Sequence, residues 1–192
     1  MKLNELTTIF SGHLFRFKIE NSPFGKYRVI QMRNINNDYT INYAGLPRVE
    51  INSIRNEQII NKNDIVFRCR GNNNFASIID CEIENIIADT HFLIIRIKSN
   101  IISPEYLAWY LNQKPAQMYF LKNAQGTVIP LITAKILGSL EVTIPDLQTQ
   151  NKIVELSKIS IKEQELAQTI QRKRKLLIEN LLIKKIMEAN ND

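Results

Sequence analysis

Two sets of residues in this chain could do chemistry, and they suit different work. Those that drive catalysis are sparse. The two histidines, His13 and His91, lie far apart, and the two cysteines, Cys69 and Cys81, are twelve residues apart with no CxxC spacing. They read as structural imidazoles and ordinary thiols rather than as a metal or redox site. The six glycines (12, 25, 45, 71, 126, 138) are never closer than twelve residues, which excludes a GxGxxG turn and a P-loop. There is no G-x-S-x-G elbow, and no two prolines are adjacent. Pro145–Asp146 is followed by Glu155 and Lys158, at the wrong spacing for a nuclease site and on helical sequence. The expectation is a chain that is not a self-sufficient enzyme and that needs no metal or other cofactor.

Residues that bind are abundant and fall into three stretches. "RCRGNNN" packs Arg68, Arg70, Asn72, Asn73 and Asn74 around Gly71. "FRFKIENSPFGKYR" interleaves Arg16, Lys18, Lys26 and Arg28 with Phe15, Phe17 and Tyr27, and "LKNAQGTVIP" places Lys122, Gln125 and Thr127 about Gly126. Guanidinium forks and amides offer paired hydrogen bonds, and ammonium groups offer point charges to an anion. The same residues also have a plainer use, since Asn and Gly form turns and charges solvate a surface. The 192 residues carry a net charge of +6. Up to Asp146 there are 16 basic against 13 acidic residues (+3), and beyond it 9 against 6 (+3). A basic balance spread in this way suits a polyanionic partner without demanding one.

The elements that must position these residues follow from the pattern. Hydrophobic residues at 44% and charged residues at 23% are globular values, and the length suits one packed domain with an appendage. "YRVIQM", "DIVFRC", "ASIID" and "HFLIIRI" read as short strands, with "RCRGNNN" as a hairpin turn. The stretch "FRFK…KYR" reads as strand-like alternation that puts its charges on one face. "LNELTTIFSG" reads as a short helix or turn ending at Gly12. "SPEYLAWYLNQKPAQMYFLKN" starts with a Ser103 cap and Pro104 in the first turn. It reads as two helices broken at Pro115, with Tyr106, Leu107, Tyr110 and Leu111 as the apolar face. "TAKILGSL" is a helical turn capped by Thr133, and "EVTIP" a last strand.

From Leu147 to Glu188 there is neither Pro nor Gly, enough for a helix about 60 Å long. Its apolar residues Ile153, Leu156, Ile159, Leu166, Ile170, Leu177 and Leu181 make an imperfect heptad-like stripe. That stripe either folds back on its own domain or pairs with another helix, and pairing is expected because a solvated stripe of this length is costly. No run approaches the roughly 20 apolar residues of a membrane span. Glu5 stands where a signal peptide needs an apolar core. A soluble, cytoplasmic chain with no membrane partner is expected.

The order of segments resembles one family. "LNELTTIFSGHLFRF" looks like the opening of a target-recognition domain in the specificity (S) subunits of Type I restriction–modification systems. "NKNDIVFRCRGNNN" is similar to the family's G-D-I-V-F-x-x-R-G stretch, with Asn63 in place of the usual Gly. "ADTHFLIIRIKSNIISPEYLAWYLNQKPAQMYF" resembles the strand and P-x-Y-L-x-x-x-L helix that follow it. "GTVIPLITAKILGSLEVTIPDLQTQNKIV" resembles the G-(S/T)…I-P-x-P-x-x-x-Q-x-x-I-V tail leading into a long helix. There Asp146 replaces the second proline.

The resemblance implies an α+β chain with a mixed α/β target-recognition domain over 1–146 and a long coiled-coil-type helix over 147–192. It implies a DNA-binding specificity subunit whose catalysts are separate methyltransferase (M) and restriction (R) subunits. A full S subunit has two such domains and two helices, so this chain looks like a half-length form. It would pair with itself through the stripe residues and read a bipartite site on double-stranded DNA. The DNA readers are then expected among the three stretches named above, with Arg suited to guanine, Asn or Gln to adenine, and Lys to phosphate. Arg172–Lys175 on the helix is expected to be a solvated face or a dock for a methyltransferase subunit. The alternatives are a dimeric protein-interaction scaffold without DNA specificity, or a fragment of a fused methyltransferase–nuclease.

Overall fold

The computed structural model describes residues 1–189, with side chains through residue 186. It divides into one compact unit, Met1–Asn151, and a second that starts at Lys152.

The first unit opens with α1 (Leu3–Leu6) and passes directly into strand β1 (Thr7–Ser11). The expected helix or turn through Gly12 therefore lasts only to Leu6. Thr7, Thr8, Ile9 and Phe10 are β-branched or aromatic and find a long partner in β7 (Phe92–Ile97), in register from Thr7 opposite Ile97 to Ser11 opposite Leu93. Cross-strand packing decides for the strand. β7 also pairs with β4 (Ile65–Arg68), and β4 with β5 (Ala76–Ile78), giving an antiparallel sheet of order β1-β7-β4-β5. Four of the five expected strands form, each within the stretch that predicted it. A second sheet, ordered β3-β2-β6, joins β2 (Tyr27–Ile30) to β3 (Arg48–Val49) and, in parallel, to β6 (Ile86–Ala88). β3 and β6 are too short for periodicity to reveal.

The core lies between the sheets. Ile30 of β2, Ile86 and Ala88 of β6, Val66 of β4, and Phe92 and Ile94 of β7 pack into one buried cluster. The inner strands β4 and β7 are nearly continuous apolar runs because both faces are covered.

Helices α2 (Pro104–Leu111) and α3 (Lys114–Asn123) cover β5 and the segment after them. Ser103 caps α2, its Oγ accepting from the Tyr106 amide at 3.1 Å. The break falls at Asn112–Gln113, and Pro115 sits in the first turn of α3, where its missing N–H costs nothing. Tyr106, Leu107 and Leu111 are buried and Tyr110 half-buried, as that face requires. Asn112 lends a peptide-like pair to the edge strand β5, accepting from Ala76 N and donating to Ala76 O, both at 2.8 Å.

Thr133 caps α4 (Ala134–Gly138), accepting from Ile136 N at 3.2 Å. "EVTIP" is not a strand. Among the described residues its ladder contacts are a bridge of Glu141 to Lys2 and the pair of bonds Val142 N to Met1 O at 2.8 Å and Met1 N to Val142 O at 3.3 Å, because the facing chain turns into α1 at Leu3. The phenols of Tyr106 and Tyr110 instead donate to Thr143 O and Glu141 O.

The last helix, α5, runs Leu147–Ala189. Asp146 caps it, its carboxylate accepting from Thr149 N at 3.0 Å and Thr149 Oγ1 at 2.7 Å. These bonds hold the Asp146 carboxyl below the usual carboxylate range. No helix among the described residues is long and apolar enough to cross a membrane.

Candidate nucleic-acid interface

Strand register gathers three chain exits at one rim of the four-stranded sheet. β1 ends opposite Leu93, β4 ends with Arg68 opposite Phe92, and Phe67 faces Ala76. The segment after Ser11, the turn before Phe92 and the β4–β5 connection therefore share that rim.

The β4–β5 connection is the expected hairpin. Gly71 sits at φ +95°, a conformation that strains any side chain. Arg68 and Asn74 are turned inward to hold the turn. Arg68 N donates to Phe75 O at 2.8 Å and its Nε to Arg70 O at 3.0 Å, with the guanidinium 5.9 Å from the Phe75 ring. Asn74 Nδ2 donates to Arg68 O at 3.0 Å. Arg70, Asn72 and Asn73 are exposed. Cys69 is buried and its Sγ donates to His91 O at 3.2 Å. Burial pushes the thiol up to about 11, so at neutral pH it is a protonated packing residue rather than a nucleophile. His91 Nδ1 lies 3.0 Å from Asp89 Oδ1, and His13 Nδ1 3.4 Å from Gln58 Oε1.

A second loop, 125–131, joins this hairpin from more than fifty residues away. Its stem is closed twice, by Gln125 N to Leu131 O at 3.0 Å and Leu131 N to Gln125 O at 2.8 Å. Gly126 turns the chain at φ +91°. The returning strand then pairs with the hairpin, Gly71 N donating to Pro130 O and Ile132 N to Cys69 O, both at 2.8 Å. The first and third candidate stretches are thus joined into one ribbon-like surface that carries exposed Arg70, Asn72, Asn73, Gln125 and Thr127, while Lys122 is exposed at the end of α3, three residues before the loop. Sequence reasoning treated these stretches separately. A usable signal was present, however, since neither 65–79 nor 106–140 contains a single Asp or Glu.

The second candidate stretch does not form one face. Only its last two residues, Tyr27 and Arg28, are strand, where β2 begins. Arg16 and Lys18 are exposed on irregular chain, with Lys18 3.5 Å from Glu20. The Ser22–Gly25 turn, closed by Gly25 N to Ser22 O at 2.9 Å, interrupts the expected alternation. Beyond it Lys26 lies 5.5 Å from the Tyr27 ring, and Arg28 is half-buried within the middle strand of the smaller sheet. Turn chemistry prevails over the alternating pattern there.

On the second unit, Leu156, Ile159, Leu166, Ile170, Leu177 and Leu181 are each between 51% and 66% exposed; Ile153 is half-buried. Ile159, Leu166, Ala167 and Ile170 line an apolar groove edged by Lys162 and Glu163. Arg172 to Lys175 are exposed, and Lys175 lies 3.9 Å from Glu179.

Comparison with known proteins follows the same lines. The family model for the Type I restriction modification DNA specificity domain matches residues 1–173. A specificity subunit of the Type I restriction enzyme HindI from Haemophilus influenzae is 30% identical over 103 residues, 52% of this chain and 22% of that protein. Among solved structures, the S subunit of a Type I restriction–modification system from M. genitalium superposes with a TM-score of 0.56 at 20% identity, covering 91% of this chain and 42% of that one. The HsdS subunit from Thermoanaerobacter tengcongensis gives 0.68 at 13% identity, with 90% and 44% covered. At these identities the structures establish a shared fold. This chain spans less than half the length of each of these relatives.

Proposed function

The chain belongs to the Type I restriction–modification DNA specificity domain family, and on that premise we propose that it reads one half of a bipartite DNA target and carries no catalyst of its own. Separate methyltransferase and restriction subunits supply the chemistry, and a second copy, paired along α5, supplies the other half-site reader. The observation that carries the reading is the joined surface of the two hairpins. Arg70, Asn72, Asn73 and Gln125 are exposed on it, and neither chain run that builds it holds a carboxylate. Such a surface meets duplex DNA without like-charge repulsion, and its groups match guanine and adenine edges in a groove that admits a two-stranded ribbon.

Arg70→Ala tests the reading. Binding to a sequence selected from random duplexes should weaken by roughly 1–3 kcal/mol, while binding to non-selected duplex barely changes. Equal losses on both would leave Arg70 as a phosphate contact. A wild-type protein that enriches no sequence at all would point to the scaffold alternative.

The proposed pairing rests on the exposed stripe of α5. Its residues Ile159, Leu166, Ile170, Leu177 and Leu181 step by 7, 4, 7 and 4, an eleven-residue repeat of about 3.67 residues per turn. A seam with that period winds slightly right-handed, where a strict heptad would wind left-handed. Replacing both Leu166 and Ile170 with Glu should convert a dimer, followed by sedimentation equilibrium at tens of micromolar, into monomer. The dissociation constant should rise by at least about a hundredfold, since two buried aliphatic side chains are lost on each helix. A wild-type monomer at that concentration would rule out self-pairing.

A further inference from the structure

The loop that joins the hairpin carries an apolar tip. Val128 is 89% and Ile129 62% exposed. A lone aliphatic group in solvent is ordinary, but this pair stands on a stem held by four backbone bonds: two within the loop, one to Gly71 and one to Cys69. Two exposed branched side chains on so rigid a support are presented rather than left over. Their surroundings select the partner. Arg70, bridged to Leu131, and Gln125, which closes the stem, lie at the base of the loop. Lys122 is exposed three residues before that stem, and there is no carboxylate in 65–79 or in 106–140. An apolar protein surface would leave those cations without counter-charges. The major groove of DNA offers both features together, phosphates along its edges and thymine 5-methyl groups on its floor.

We propose that Val128 and Ile129 are specificity determinants that pack against a thymine methyl in the major groove, beside the polar contacts of Arg70 and Gln125. This rests on the DNA-reading surface proposed above. It assigns sequence discrimination to side chains that carry no hydrogen-bonding group.

The test uses the full chain carrying Val128→Ser and Ile129→Ser together, substitutions at side chains with little packing to lose. Fluorescence anisotropy is measured on a selected site, on random duplex and on a series in which each thymine of the site is replaced by deoxyuridine, which removes only the methyl. The double variant should bind the selected site about tenfold more weakly, with random-duplex binding and the salt slope unchanged. Wild type should lose about fourfold at one thymine, the scale of one buried methyl, and the variant should lose nothing further there. Wild-type affinity in the variant, equal losses on random duplex, or the same deoxyuridine penalties in both proteins would each overturn the inference. If Arg70→Ala abolishes discrimination while the tip variant behaves as wild type, the DNA-reading surface stands and the tip contact falls. If wild type selects no sequence, both fall together.

Discussion

Asp64→Ala should lower the stability of the first unit by about 3 kcal/mol, the low end of the range for breaking a buried ion pair. Asp64 is buried and accepts from Arg96 Nε at 3.0 Å and Nη2 at 2.7 Å, a two-point contact that ties β4 to β7. Its second oxygen also accepts from Asn61 N at 2.8 Å, closing the turn that leads into β4. Within that turn Asn63 stands at φ +70°, which explains why its position in the family pattern is usually Gly: both residues tolerate the left-handed conformation. Removing the carboxylate leaves Arg96 against the Phe10 ring, 5.5 Å away, with Ile59 O as its remaining acceptor. Arg96 keeps some contact with water, which favours the lower figure. Urea unfolding followed by the single tryptophan, Trp109, measures the effect. Asp64→Asn, which retains an acceptor for Asn61 N, should fall between wild type and alanine. In a double-mutant cycle with Arg96→Ala, the two losses should combine to less than their sum. Alanine at 64 costing under about 1 kcal/mol would show the pair to be no more than a surface ion pair in strength.

Gln150→Ala should cost a comparable amount, roughly 2–3 kcal/mol, through a different mechanism. Gln150 is fully buried at the root of α5, and its amide meets three backbone groups, all at 2.8 Å. It accepts from Ser103 N and donates to Ile101 O and Pro145 O. One side chain thus ties the start of α2, the segment before it and the Pro145 bend. Truncation removes that partner from all three partly buried groups, and each then bears part of its desolvation cost unmet. Gln150→Glu separates geometry from polarity. The carboxylate still accepts from Ser103 N but faces two carbonyl oxygens, so it should destabilise at least as much as alanine at neutral pH. Near-wild-type stability for the glutamate variant would show that the bonds to Ile101 and Pro145 contribute little. Because Gln150 lies in the Q-x-x-I-V pattern of the family, this prediction gives that pattern a mechanical reason.

Much of the fold was legible because it is locally encoded. The Ser103 and Thr133 caps, the hairpin turn at Gly71 and the uninterrupted helix after Asp146 each depend on residues within a few positions of one another. Where the reading went wrong, a distant partner decided. Thr7–Ser11 became a strand because β7 lay alongside it, and 141–145 did not because the chain facing it turns into α1 at Leu3. Nor could local pattern reveal that the Ser22–Gly25 turn would separate Arg16 and Lys18 from Lys26 and Arg28.

By itself, then, the sequence determined what kind of molecule this is: a basic α+β domain that leads into a long amphipathic helix, in a motif order that names its family. Composition, caps and periodicity are local properties and survive without coordinates. Only the tertiary structure decided which binding residues act together. Pairing of Gly71 with Pro130 and of Cys69 with Ile132 joined two stretches far apart in the chain, while Arg68 and Asn74 turned inward to hold the turn. Backbone hydrogen bonds between distant segments carry no side-chain signature, so the sequence showed that both runs lack acidic residues but not that they meet.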